Sequence, residues 1–583
     1  MQGILQRPSV FASPVPLPAA ARLRLVIALS GLAVMLSATL VGRSRGLWAP
    51  DELRYAQIVQ RMDRLSDHFV PRLWNNIYTE KPPLYFWLVR ACMPWTAGVH
   101  LSTLLVPIVL ASCVLLWLTG HIVNRWYGSR AGITSVVVLC TLPLFLLLSS
   151  IGRMDMLLAL FVTAATYSFY RGYVDDVAAS RIWAFVWMGV GLLAKGPFGI
   201  VFPLTVSVTA LVITKKWRRL LCRETCWGLA ALLATLACWL GPALYVAGFS
   251  YIEALIGKQV YERAVAGLDH GEPAYFYLWV LPIIILPWFV FLFPALRMAW
   301  KRWHEQRADY DLWLMCWVTV PLVILSLVRE KLPVYLLPAM PPIAALIGRY
   351  WSANLSNDAF THRLQFRVGW LLAVAATLGV VALAASLLIV NQPSEAALTP
   401  LVDLLRAAQR GGITELLLEP QTLCLFGGVL VLLSVVGWIS VRTSNRRRIS
   451  WTFATLASVA PCCQLFLSIE IMPALDAAQS WRAVANALAA AQDSGEHVVT
   501  YGLRPFAAYY LSDDITWFRK QNSLAEYIQK NGCAWCATRP QEIDVIRRHC
   551  IVDQEPERTY PTPTGPVLLV HLRPLAVADR ELH

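Results

Sequence analysis

The sequence predicts an all-α polytopic membrane protein with a small α/β domain at its C-terminal end. Three observations carry this reading. The 583 residues are 57% hydrophobic and only 15% charged, with a mean hydropathy of +0.54. An average soluble domain carries about a quarter charged residues, so a single soluble core is excluded. Apolar runs near the ~17–25 residues that a bilayer demands recur along the first four-fifths of the chain. Hydropathy then drops after residue 471, where short apolar stretches are spaced as strands and helices.

The candidate spans are 24–42, 101–123, 131–150, 154–172, 181–194, 197–214, 226–248, 275–298, 312–328, 333–350, 367–391, 421–441 and 451–471, about thirteen transmembrane helices in all. The 24 Trp and 20 Tyr suit aromatic belts at the two interfaces. Residues 1–22 are Pro-rich and lead into a long apolar run without a small-residue cleavage site, which reads as a retained first span. The segment 84–99 is short, follows Pro82-Pro83 and holds Arg90 in its middle. A central arginine is costly in lipid, so this segment reads as interfacial or re-entrant.

The net charge of +14 would suit nucleic acid if it were clustered on one soluble face. Much of it instead sits in short loops between apolar runs, at Lys215, Lys216, Arg218 and Arg219, at Lys301, Arg302 and Arg307, and at Arg446–Arg448. That is the positive-inside pattern, with membrane lipids and not nucleic acid as the partner. Thirteen spans with the N-terminus inside put these loops on the cytoplasmic face. The exception is 43–83, which holds seven Lys/Arg yet falls outside, and a loop that positive needs an anionic ligand. The domains expected are a transmembrane domain, 1–471, with its first outer loop at 43–100, and an outer α/β domain, 472–583, containing HVVTYG (497–502), CAWCAT (533–538) and PVLLVHL (566–572).

Six constellations of ionisable and aromatic residues stand at span ends on the outer side. APDELRYA (49–56) brings Asp51, Glu52, Arg54 and Tyr55; as a bland alternative, acidic residues suit any helix N-terminus. YTEKPPLYFW (78–87) brings Tyr78, Glu80 and Lys81, the lysine being either a snorkelling cation or a phosphate ligand at headgroup depth. GRMDMLLAL (152–160) puts Arg153 and Asp155 at the mouth of a span. In LLAKGPFGIVFPL (192–204), Lys195 interrupts apolar sequence before the helix-breaking Gly196-Pro197. YERAVAGLDHGEPAYFY (261–277) carries Arg263 and His270, and REKLPVYLLPAMPP (329–342) carries Lys331 and Tyr335 one helical turn apart. Carboxylates and cations gathered at one membrane face suit chemistry on a lipid-linked phosphate. A transporter would more usually show repeat symmetry and polar groups near the bilayer midplane. A non-catalytic scaffold leaves the joint placement of Asp51, Lys81, Asp155 and Lys331 unexplained.

These motifs, D-E-x-R-Y-A (51–56), E-K-P-P-L-x-x-W (80–87), R-x-D-x-L (153–157), K-G-P (195–197), H-x-x-P (270–273) and K-x-x-x-Y-x-L-P (331–338), resemble those of the GT-C fold glycosyltransferases that use polyprenyl-phosphate sugars. Within them the lipid A aminoarabinose transferases look nearest and the protein O-mannosyltransferases more distant. The resemblance implies transfer of a sugar from an undecaprenyl-phosphate donor to lipid A or another acceptor at the periplasmic face of a bacterial inner membrane. It implies that Asp51 and Asp155 are catalytic and that Lys81, Lys331, Tyr335, Lys195 and Arg263 face the donor phosphate. Glu52, Arg54, Tyr55 and Tyr78 fall to substrate binding. Glu80 and His270 match positions where the family can hold a divalent metal such as zinc.

Two roles stay open for Asp51. With a hydroxyl acceptor it must act as general base. A lipid A phosphate is already anionic, and Asp51 would then orient the donor, pair with its amine or place an acceptor-binding cation. In the outer domain, a periplasmic location favours a disulfide among Cys533, Cys536 and Cys550, with a metal held together with His549 as the alternative.

Overall fold

The structure, a computed structural model, describes residues 18–354 except 257–271 and isolated loop positions, scattered positions between 453 and 476, and 480–574 with short gaps. The candidate spans 367–391 and 421–441, and with them Arg263 and His270, lie outside the described residues.

The helical part begins with α1 (Ala19–Ser44), followed by the amphipathic α2 (Asp51–Arg64), a two-stranded hairpin of β1 (Arg72–Leu73) and β2 (Asn76–Ile77), and α3 (Leu84–Thr96). Next come α4 (Leu101–Tyr127), α5 (Ser129–Cys140), α6 (Pro143–Leu148), α7 (Asp155–Tyr173), α8 (Ala178–Lys195), α9 (Phe198–Ile213), α10 (Arg223–Ala247) and α11 (Phe249–Ile256). After the undescribed stretch follow α12 (Phe276–Ile284), α13 (Phe289–Gln306), α14 (Asp309–Leu327), a 3₁₀ segment Pro333–Ala339, and α15 (Met340–Asn354).

Among the described residues, α1, α4, α10 and α14 are each long and apolar enough to cross a membrane, and α12 with α13 would make a fifth span bent by 105°. Two other predicted spans are interrupted. The run 131–150 is split into α5 and α6 at Pro143, which starts a new helix because it has no N–H to continue the old one. The run 333–350 opens with a 3₁₀ segment before α15. Helix α3 is 13 residues long with Pro94 inside it, and Arg90 reaches the exposed Asp63 at 3.2 Å. That length falls short of a full crossing, in line with the interfacial reading of 84–99.

One packing detail positions the site. Helices α7 and α8 form an antiparallel hairpin of 19 and 18 residues joined by Val174–Val177, so the first residue of α7 lies beside the last residue of α8. Helix α8 stops at Gly196, whose φ of +100° is a conformation that side chains resist. Helix α9 then packs back closely: a Cβ on Gly199 would lie 2.2 Å from the Gly191 carbonyl carbon.

The C-terminal part is α/β. Helix α16 (Arg482–Asp493) leads into β3 (His497–Tyr501), followed by β4 (Thr516–Phe518), α17 (Gln521–Asn531), β5 (Ala534–Thr538), α18 (Ile543–Arg547), β6 (Cys550–Val552), β7 (Thr559–Tyr560) and β8 (Val567–Pro574). The six-stranded sheet runs β4-β3-β5-β8-β6 with β7 also on β8. Strand β3 is parallel to β4 and β5, with α17 as the crossover between the latter two, whereas β8 is antiparallel to its neighbours. The three stretches read as strands from sequence are β3, β5 and β8.

The expected disulfide is corrected. Cys533, Cys536 and Cys550 are all free thiols. Cys533 is exposed just before β5, whereas Cys536 points into the core of the sheet, because residues three apart on extended chain face opposite ways. Burial pushes the Cys550 thiol up to about 11 and the Cys536 thiol higher still, so both behave as small apolar core residues.

Candidate active site

Both candidate catalytic aspartates are the first residues of helices, Asp51 of α2 and Asp155 of α7. A carboxylate is favoured there by the unpaired N–H groups and the positive end of the dipole. Lys195, the last residue of α8, stands at the opposite pole of its own helix, where a cation is favoured. The α7–α8 hairpin brings the two together, and the Lys195 ammonium donates to Asp155 Oδ1. Both side chains are buried, at 7% and 2% exposure.

Arg153 completes the array. Its Nε donates to Asp155 Oδ2 at 3.3 Å and its Nη1 lies 3.2 Å from Asp51 Oδ2. Burial opposes the guanidinium charge, but the carboxylates of Asp155 and Asp51 outweigh burial and push its pKa up. The result is a row of alternating charge, Lys195, Asp155, Arg153 and Asp51, that runs from a buried end to a partly open one. Lys81 lies within electrostatic reach of Asp155. Burial, and then the Asp51 carboxylate, push the Tyr55 phenol well above its ordinary range, so it stays protonated. Tyr55 packs edge-on against Tyr85 at 5.8 Å and tilted against Phe86 at 5.6 Å, a wall of rings under α2.

At the buried end, the Lys195 ammonium also stands 5.0 Å from the ring centre of Tyr335, whose hydroxyl donates to Glu330 Oε1 at 3.1 Å. Lys331 is turned elsewhere: it is buried and donates to the carbonyls of Glu272 at 2.8 Å and Val328 at 2.5 Å. The expected helical turn between Lys331 and Tyr335 is corrected: Lys331 lies before the 3₁₀ segment Pro333–Ala339 that holds Tyr335, and their polar atoms go to different partners.

Glu52, expected among the substrate contacts, has its carboxylate engaged within the chain. It is buried in a bidentate pair with Arg45 and accepts the N–H of Gly152 at 2.8 Å. Arg54 and Tyr78 meet at Glu80: Arg54 Nη1 is 3.7 Å from Glu80 Oε2, and the Tyr78 hydroxyl donates to the same oxygen at 3.5 Å. Among the described residues no group of three His, Cys, Asp or Glu side chains stands together to hold a metal, and His270, the expected companion of Glu80, lies outside them.

Sequence reasoning placed Arg153 at the mouth of a span without giving it a role. The signal for one was its position two residues before Asp155, at a helix start where a guanidinium can turn back on the carboxylate. Arg45 and Asp476 carried no such signal.

The chain is similar to known proteins across the segment that holds these residues. A family profile described as dolichyl-phosphate-mannose-protein mannosyltransferase matches residues 80–241, which contain Lys81, Arg153, Asp155 and Lys195. The crystal structure of ArnT from Cupriavidus metallidurans bound to undecaprenyl phosphate superposes with a TM-score of 0.72 at 18% identity, covering 96% of this chain and 99% of that one. The chain therefore has the GT-C fold of that protein.

In sequence it resembles the undecaprenyl phosphate-α-4-amino-4-deoxy-L-arabinose arabinosyl transferases. It is 28% identical to that of Edwardsiella ictaluri over 319 residues and 30% identical to that of Pseudomonas aeruginosa over 314, in each case 52% of this chain. A second such transferase, from Sodalis glossinidius, is 28% identical over 405 residues, 65% of this chain and 69% of its own. The chain spans about half (56%) of the length of the first two relatives it matches.

Proposed function

We propose that the chain transfers 4-amino-4-deoxy-L-arabinose from undecaprenyl phosphate to a phosphate of lipid A, at the periplasmic face of a bacterial inner membrane. In this reading about thirteen spans form residues 1–471, and 472–583 form an α/β domain on the periplasmic side. The observation that carries the proposal is the charge row from Lys195 to Asp51, buried at one end and open at the other, in a chain whose relatives use this donor.

The reaction joins an acceptor phosphate oxygen to C1 of the sugar, and the bond from C1 to the undecaprenyl phosphate oxygen breaks, with the electron pair leaving on that phosphate. The acceptor oxygen carries its negative charge beforehand, so no proton need be removed in the bond-forming step. The half-open Asp51, at 26% exposure, is then suited to hold the ammonium of the sugar and to set the angle of C1. Lys81, on its Pro82-Pro83 stalk, meets the charge that develops on the leaving phosphate. Asp155 fixes Lys195 and Arg153 so that this cationic wall is in place before the donor arrives. Tyr335 supports Lys195 through its ring, and Lys331 fastens the turn after α14 to the chain at Glu272.

The test is transfer by the purified chain in liposomes, given the undecaprenyl-phosphate aminopentose and lipid A. A phosphate-linked aminopentose on lipid A supports the proposal. Transfer to a glycan or protein hydroxyl instead would move Asp51 to the role of general base, and no transfer to any acceptor would end the reading.

A further inference from the structure

Beside the charge row lies a second ion pair that the reaction as read does not use. Arg45 sits in extended chain just past α1, and its side chain and that of Glu52 are 1% and 4% exposed. The guanidinium grips the carboxylate with both Nη atoms, at 2.5 and 2.8 Å. Glu52 accepts two further N–H groups, from Trp48 at 3.0 Å and Gly152 at 2.8 Å, while Arg45 Nη2 also points at the Ser150 carbonyl at 3.4 Å. The Trp48 ring lies 4.4 Å from the guanidinium, and its indole N–H and the Gly46 N–H both donate to Asp476, at 2.9 and 2.8 Å. Ser150 is tied in turn by Gln464, whose amide donates to its hydroxyl at 3.2 Å.

Two segments a hundred residues apart are thus stitched together by charge-assisted bonds. In each segment a member of the site is the adjacent residue: Asp51 precedes Glu52, and Arg153 follows Gly152. We propose that Arg45 and Glu52 are a positioning pair for transfer, fixing the distance at which Asp51 meets Arg153, with Asp476 anchoring the pair from the chain that leads into α16. The inference rests on the transferase reading for its kinetic consequence but not for its structural one.

The test pairs amide exchange with kinetics on the full chain in detergent micelles, using Glu52→Asp and Glu52→Gln. Aspartate is one methylene shorter and cannot keep both the Arg45 fork and the Gly152 N–H. Glutamine keeps the length and loses the charge. We expect exchange across 150–153 to rise at least ~10-fold in both while α7 stays protected. Turnover should fall ~10- to 100-fold, as misplacement of reacting groups by about an ångström does, with the donor KM changed less than about twofold. Unchanged exchange at 150–153 would overturn the brace, and raised exchange with unchanged turnover would overturn its positioning role. Raised exchange in a chain whose wild type transfers nothing to lipid A would support the brace and sink the transferase reading. Should Glu52→Gln fail to fold, Glu52→Asp carries the same readouts.

Discussion

Two carboxylates of equal burial stand near the two ends of α7 and meet different fates, Asp155 on α7 itself and Asp311 in the first turn of α14. At one end Asp155, 2% exposed, is held by Lys195 and Arg153, and the row continues to Asp51 and Arg153 at 26% and 27% exposure. At the other end, where Tyr170 meets Trp313 ring to ring at 5.4 Å, Asp311 is also 2% exposed. It accepts the Tyr127 hydroxyl at 2.6 Å and the Arg302 Nε at 2.9 Å, while Arg302 Nη2 reaches the Tyr310 hydroxyl at 3.1 Å. Arg349 closes this end from 5.3 Å over the Tyr127 ring. Here the row stops at Asp311 and its cations, with the Tyr127 and Tyr310 rings around them and Arg302 at 18% exposure. A buried ion pair is therefore no sign of a site by itself. What distinguishes the Asp155 end is that its row continues through Arg153 to a second carboxylate, Asp51, at 26% exposure.

That comparison breaks most sharply under paired substitutions. Asp155→Asn leaves Lys195 and Arg153 facing each other without their shared anion, and we expect kcat/KM to fall ~100-fold or more, the scale set by loss of a preorganised electrostatic group. Transfer measured in liposomes checks this. Asp311→Asn leaves Arg302 without its buried partner at the other end and should cost about 3–5 kcal/mol, as removal of one buried partner does, read as a lower unfolding midpoint. Turnover per folded molecule should stay within about twofold. If Asp311→Asn slowed transfer as much as Asp155→Asn, the two ends would be coupled and the distinction would fail.

Lys81→Ala should raise the donor KM about tenfold, the worth of a charge-assisted contact of roughly 1.4 kcal/mol, with a smaller change in stability. The smallest effect belongs to Arg90→Ala. Its partner Asp63 is half exposed, so stability should change by no more than ~1 kcal/mol and transfer should be unaffected.

Asp51, Lys81, Asp155 and Lys195 were legible in the sequence because ionisable residues at the ends of apolar runs are costly and stand out. The adjacency of Asp155 and Lys195 was also within reach, since two runs of matched length with a four-residue turn must align their far ends. Less was legible where contacts join distant segments. Arg45 and Glu52 lie seven residues apart across a break between helices, so no helical spacing pairs them, and Gly152 and Asp476 come from far along the chain. Lys331 shows a different limit: its motif is plain, but the two backbone carbonyls that its ammonium meets are not revealed by spacing. The strands β3, β5 and β8 were readable from their apolar runs, but the mixed order of the sheet depends on crossovers that pattern alone does not fix.

The most direct test of the central claim, that the open end of the charge row is the site of sugar transfer, is mass spectrometry of lipid A from cells carrying the intact gene or its Asp51→Asn variant, with membrane levels of the two proteins matched. The account predicts a phosphate-linked aminopentose with the intact gene and none with Asp51→Asn. The same aminopentose in equal amount from both would contradict it.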